Sequence, residues 1–256
     1  FKKDWETIFT SKKINKNTNE SEILEIKNKL KLFLKDTPTL SIPPSIPEIN
    51  EKIVEQFIKK HNKSSSPGES KITYKLLNSL IIKCPKIITI LNNIYNSIIK
   101  FNRIPITWRN SLIKLIPKED SKGSTLNWRP ISLLSIEYKI FSDILNTQIC
   151  NIIKENSLDP YEQNGFQQGH NTTMCIRSLL TTLLDSKLYN KELHIIFLDF
   201  FKAFDSVEHW VIEEIFIHLN LLNHIKIIKI MLSENKILIH TDAGICDPIF
   251  PTSGVK

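Results

Sequence analysis

The stretch His194-Ile-Ile-Phe-Leu-Asp199-Phe-Phe-Lys-Ala-Phe204-Asp205-Ser-Val207 decides how this chain is read, because an apolar run carries a carboxylate to its end and then breaks into a turn. Ile195 to Leu198 is β-branched and aromatic, which suits a buried strand, and Val207 to Leu219 repeats its apolar residues at helical spacing. The local reading is strand, turn, helix. At the mouth of such a turn Asp199 can hold Mg²⁺ against a triphosphate, since hard cations prefer carboxylate oxygens and keep positions open for phosphate. The same pattern also describes an acid that merely caps a helix, and alone the stretch leaves both readings open. Asp205 fits the capping reading: it stands where an N-cap would, with Glu208 placed to complete a capping box.

Composition bounds the rest. A chain of 256 residues is near the size at which one hydrophobic core stops growing, so one large domain and two linked subdomains both fit. With 34 Lys+Arg against 27 Asp+Glu the net charge is +7, which favours polyanionic partners, although a sequence this rich in Lys, Asn and Ile gains basic character from AT-rich coding alone. Cys84, Cys150, Cys175 and Cys246 lie far apart without a Cys-x-x-Cys pair, so neither a zinc site nor a disulfide framework is indicated, and a reducing intracellular location fits. His194, His209 and His224 are scattered and read as ordinary surface or core residues. No apolar run reaches the length of a membrane span, so no membrane partner is expected. The opening Phe1-Lys-Lys-Asp-Trp5 carries no signal-peptide pattern and no initiator Met, which points to a fragment.

Along the chain, Ile23, Ile26, Leu30 and Phe33 form one apolar stripe of a packing helix. Prolines 38, 43, 44 and 47 make an extended connector and a subdomain boundary, because Pro removes amide donors and disfavours helix in the residue before it. A helix after Glu48 reaches about His61, and Thr73 to Phe101 is helical with a break near Cys84-Pro85. From Thr107 to Lys118 the residues alternate like a strand, Lys122-Gly123 reads as a hairpin turn, and Trp128 to Leu134 returns, carrying Lys118 and Arg129 close together. Ile136 to Glu155 is an amphipathic helix, Tyr161 to Gly169 a loop, and Thr172 to Leu188 a helix leading into the Asp199 strand.

Three landmarks now stand in order: Ile116-Pro117-Lys118 with Trp128-Arg129-Pro-Ile-Ser-Leu133, then Gln163-Asn-Gly165-Phe166 through Thr173, then Phe197-Leu-Asp199 through Val207. In that order they resemble the reverse transcriptase domain of non-LTR (LINE-type) retrotransposons. The likeness runs from about Ser66 to the end, where Thr252-Ser253-Gly254-Val255-Lys256 looks like the start of the family's next motif.

The resemblance implies an α+β right-hand polymerase fold, with helix-rich fingers and an incomplete antiparallel palm sheet. It divides the chain into an N-terminal helical extension and connector (1–62), fingers (63–194) and a partial palm (195–256). It makes Asp199 the first catalytic aspartate, which in the complete enzyme binds two Mg²⁺ ions with help from the Phe200 backbone carbonyl. Phe204 matches the aromatic gate that rejects a ribose 2′-hydroxyl by overlap; without the family it would be read as core. Lys118 and Arg129 match residues that grip the incoming triphosphate, a role apt for a point charge and a fork, and are otherwise solvated strand charges. Gln163, Gly165 and Phe166 match a template-contacting loop, and Asp205, Ser253 and Gly254 are structural residues near the site. The implied partners are an RNA template, a DNA primer or target and deoxynucleoside triphosphates, with the nucleus as the place of work.

The departures are specific. Pro67-Gly68-Glu69-Ser70 stands where the family usually has Pro-Gly-Pro-Asp-Gly, and Asn102-Arg103 where a Gly usually precedes the Ile-Pro. The second catalytic motif, an aromatic-Ala-Asp-Asp hairpin, is absent from these 256 residues. The segment by itself is therefore expected to be inactive, and the alternative is a decayed or domesticated nucleic-acid-binding remnant.

Overall fold

Local signals in the chain account for most of the helices. The computed structural model describes residues 20–61, 65–117, 128–160, 162–167, 169–200, 203–241 and 244–255. Helix α1 (Glu20–Leu34) half-buries Ile23, Lys27 and Leu30 and buries Leu34, whereas Phe33 is exposed. The stripe therefore runs through Ile23, Lys27, Leu30 and Leu34, and two of its expected members, Ile26 and Phe33, are exposed. The phase explains it, since Leu34 lies just over three whole turns from Ile23 at about 3.6 residues each, and Phe33 falls off that line. Lys27 secures the helix, with its ammonium 3.4 Å from Glu214 and above the Trp210 ring.

The proline connector has no regular structure, and it is tied down through its carbonyls. Asn220 Nδ2 donates to Leu40 O at 2.9 Å and Asn223 Nδ2 to Pro44 O at 3.1 Å. Proline removes donors but keeps acceptors, so side-chain amides from elsewhere can hold such a segment. At its end Asn96 pairs with both polar groups of Ile49, accepting from N at 2.9 Å and donating to O at 2.7 Å.

Helices α2 (Glu51–Lys60) and α3 (Tyr74–Lys83) start at Asn50 and Thr73, whose side chains accept from Ile53 N and Leu76 N. Helix α4 (Lys86–Phe101) follows Pro85 and ends on Asn102 in the left-handed conformation, φ +51°. These helices, α5 (Ile136–Glu155) and α9 (Leu222–Leu232) share one core. At its centre the Tyr95 ring lies 5.4 Å from Phe141 and 6.0 Å from Trp108. The buried phenol of Tyr95 donates to Glu137 O at 3.0 Å, which removes the cost of an unmet hydroxyl. Ile49 and Val54 from the N-terminal part and Ile227 and Met231 from the C-terminal part join the same cluster.

The sheet has the order β2-β1-β3-β4, from β1 (Asn110–Pro117), β2 (Trp128–Leu133), β3 (Lys236–Thr241) and β4 (Gly244–Ile245). Strands β1 and β2 pair antiparallel, Leu112 opposite Leu133 and Pro117 opposite Trp128, as the alternating pattern predicts. Strand β3 pairs with β1 in parallel, Asn110 opposite Lys236. The sheet is thus mixed, a correction to the antiparallel expectation, and Ile113, Ile237, Ile239 and Ile249 form its small core. The Lys122-Gly123 turn lies outside the described residues.

Two further expectations are corrected. Ile195 to Leu198 forms no strand: residues 191–200 have no regular structure and are exposed, with Phe197 and Leu198 more than four-fifths accessible. A strand takes its hydrogen bonds from a neighbour, so an apolar run without a paired partner does not close a ladder. Asp205 does not cap the following helix either. It lies inside the short helix α7 (Ala203–Ser206), and the N-cap of α8 (His209–His218) is Glu208, with no side-chain capping bond. Helix α6 (Thr172–Leu188) begins on an Asn171 cap that accepts from Met174 N, and buries none of its residues.

Candidate active site

Residues that sequence reasoning drew from distant motifs meet around the turn between α7 and α8. The segment 253–255 lies against it: Val255 N–H donates to Phe204 O at 3.0 Å and Gly254 N–H to Val207 O at 2.8 Å. Ser253 Oγ donates to Asp205 O at 3.4 Å, and Ser253 bridges to Glu208. Gly254 has φ +86°, and a Cβ there would come 3.1 Å from Asp205 O and 3.2 Å from its Cα. The left-handed φ favours glycine, and the close approach of Asp205 leaves a Cβ little room. His209 closes the arrangement, with Nε2 2.8 Å from Gly254 O. Burial pushes the Glu208 carboxyl above its ordinary range, and His209 opposes the shift.

On its other side Phe204 meets the loop that precedes α6. The Phe166 ring stands edge-on to it, centroids 6.1 Å apart at 84°. Phe166 is held out by a left-handed backbone, φ +62°. Within that loop Gln163 Nε2 donates to Gly165 O at 3.0 Å. Both rings stay largely exposed, so a substrate could reach them.

Between this turn and the sheet is a cavity of about 30 Å³, lined among others by Ser111, Asn235, Ser253 and Asp205. That is about the volume of one water molecule. Asn235 Nδ2 donates to Leu232 O, while its buried Oδ1 has no protein partner, so this polar pocket suits a bridging water. Sequence reasoning missed β3, Asn235 and the part played by His209. The short apolar run Ile237-Leu238-Ile239, with its two β-branched residues, was the one signal for the strand, while the two polar side chains carry none.

Among the described residues no hydrogen bond, ion pair or ring contact joins the remaining candidates to this cluster. Asp199 and Phe200 sit on the exposed, irregular run, and Arg129 is exposed on β2, opposite Ile116. Lys118 and Lys256 lie outside the described residues. A pair of divalent ions needs several carboxylate oxygens. Among the described residues no three His, Cys, Asp or Glu side chains gather where they could hold a metal, so the described residues by themselves do not fit that group. No described helix is long and apolar enough to cross a membrane.

Comparison with known proteins adds a direct finding. The family model described as reverse transcriptase (RNA-dependent DNA polymerase) matches residues 116–244. The chain is 31% identical over 175 residues to the probable RNA-directed DNA polymerase from transposon BS of Drosophila melanogaster, covering 68% of this chain and 19% of that protein. It is 30% identical over 178 residues to the corresponding probable polymerase from transposon X-element of the same organism, covering 68% and 18%. Against the retrovirus-related Pol polyprotein from type-1 retrotransposable element R2 of Nasonia vitripennis it is 30% identical over 147 residues, covering 57% and 13%. The chain thus spans less than a fifth of the length of these curated relatives.

Proposed function

Because the chain belongs to the reverse transcriptase (RNA-dependent DNA polymerase) family, and within it to the non-LTR retrotransposon type, we propose that it supplies the fingers and part of the palm of an RNA-directed DNA polymerase. The reaction is attack of a primer 3′-hydroxyl on the α-phosphorus of a deoxynucleoside triphosphate, directed by an RNA template, with pyrophosphate leaving. The fold is the right-hand polymerase fold, with an extension to residue 62, fingers over 63–194 and palm over 195–256. The work is done inside the cell, at target DNA in the nucleus.

What carries the reading is convergence. Residues 163–166, 204–205 and 253–255 were assigned to one site from three separate motifs, and Phe166, Phe204, Asp205, Ser253 and Gly254 lie together. In this reading Phe204 selects the sugar, Gln163, Gly165 and Phe166 face the template, and Lys118 and Arg129 hold the triphosphate. Asp199 is the catalytic carboxylate, with the Phe200 carbonyl beside it. The magnesium ions belong to the complete enzyme, where further carboxylates join Asp199. The apolar face at 195–200 becomes a palm strand once a neighbouring strand supplies its hydrogen bonds.

Primer extension on an RNA template tests this. In the complete polymerase, Asp199→Ala is expected to lower extension by about 10²–10³-fold or more, and the 256 residues alone are expected to extend nothing. Unchanged extension in Asp199→Ala would remove Asp199 from the site, and extension by the isolated segment would remove the need for further carboxylates.

A further inference from the structure

The turn that carries Phe204 is fixed by main-chain bonds, and those bonds depend on how the 253–255 segment is oriented. Val255 N–H reaches Phe204 O at 3.0 Å and Gly254 N–H reaches Val207 O at 2.8 Å, pinning the turn at both ends. Gly254, at φ +86°, has the backbone freedom to lose that orientation. One side chain holds its carbonyl: His209 Nε2, at 2.8 Å. A carbonyl oxygen can only accept, so Nε2 must carry the proton, and the neutral Nε2-protonated ring and the cation both serve. His209 is the first residue of α8, so its ring is anchored to a ten-residue helix.

We infer that His209 is a positioning residue for the sugar gate: it fixes the Gly254 carbonyl, hence the Val255 N–H, hence the backbone of Phe204. The inference rests on the reading of Phe204 as the gate. A ring that excludes a hydroxyl by overlap works only at a set distance, so discrimination is sensitive to a small shift of the residue that carries it. His209 acts through Gly254 and Val255 and needs no contact with the nucleotide.

The test uses the complete polymerase and reads the ratio of ribonucleotide to deoxynucleotide kcat/KM for His209→Ala, His209→Gln and His209→Asn, with Phe204→Ala as control. Phe204→Ala should raise the ratio strongly. His209→Ala should raise it about 2- to 10-fold, the range expected from loss of one hydrogen bond. Gln places an amide N–H near the position of Nε2 and should restore the ratio, whereas the shorter Asn should not. A raised ratio in Phe204→Ala with an unchanged one in His209→Ala overturns the inference and leaves the gate standing. No rise in Phe204→Ala overturns the gate, and the inference with it. Equal losses with both sugars, unrescued by Gln, make His209 merely structural and also overturn the inference. Should His209→Ala fail to fold, the contrast between Gln and Asn decides alone.

Discussion

Helices α5 and α6 are both long and rich in apolar residues, yet α5 buries six residues and α6 buries none. Helix α5 packs Ile136, Tyr138, Ile140, Phe141, Ile144 and Leu145 into the shared core, while Leu180, Leu184 and Leu188 of α6 remain more than half exposed. Both are nevertheless helices, because a helix satisfies its backbone within its own segment. The run at 195–198 has the composition of a strand and stays irregular, because a strand's bonds come from another segment. Burial and backbone bonding are thus separate requirements. Helix α6 meets the second without the first, and residues 195–198 meet neither.

The contrast can be broken most severely from the buried side. Tyr95→Ala empties the centre of the aromatic cluster and removes the bond to Glu137 O, so it should cost about 3–5 kcal/mol by denaturant titration. A cost under about 1 kcal/mol would mean that the cluster is not the core it is taken to be. Gly68→Ala comes next. A Cβ there would lie 2.4 Å from Leu134 C and 2.5 Å from Ser135 N, both backbone atoms at the entry to α5. A loss of about 1–3 kcal/mol or more is expected, and none would mean that the loop can withdraw.

His224 of α9 sharpens the same side through pH. The ring is buried, neither nitrogen has a protein hydrogen-bond partner, and burial holds its pKa below the ordinary 6.5. The unfolded chain therefore binds a proton that the folded one resists. Stability is full above about 6.5 and falls as pH drops through that value toward the folded pKa. Thermal melts between pH 8 and about 5 should show a shallower acid-side loss in His224→Leu than in the parent, and parallel curves would refute the assignment. The smallest effect belongs to the exposed helix: Leu184→Ala should change stability by no more than about 0.5 kcal/mol. A core-sized loss would show that α6 is covered in solution.

Much of this molecule is legible in its residues. Thr73 and Asn50 cap their helices, Pro85 separates α3 from α4, and the alternation around Lys114 pairs with that around Ile131. All of these are short-range signals, written within a turn or a hairpin. The candidate site was legible only as a set of positions, because the ordered motifs name Phe166, Asp199, Phe204 and Gly254, of which Phe166, Phe204 and Gly254 come together. Its assembly was not. That Asp205 sits beneath Gly254, that Phe166 meets Phe204 edge-on and that His209 holds the Gly254 carbonyl are contacts across 38 to 49 residues of chain.

The sequence alone determined α1 to α6 and α8, the antiparallel pairing of β1 with β2 and membership of a polymerase family, because each is encoded by local pattern or by residues in a fixed order, whereas α7 and α9 went unread in it. Tertiary structure alone decided that β3 joins β1 in parallel, that Asp205 underlies a glycine instead of capping a helix, and that Ile195 to Leu198 is left without a ladder. Strand pairing and close backbone approach are properties of two segments at once, and neither segment carries the identity of the other.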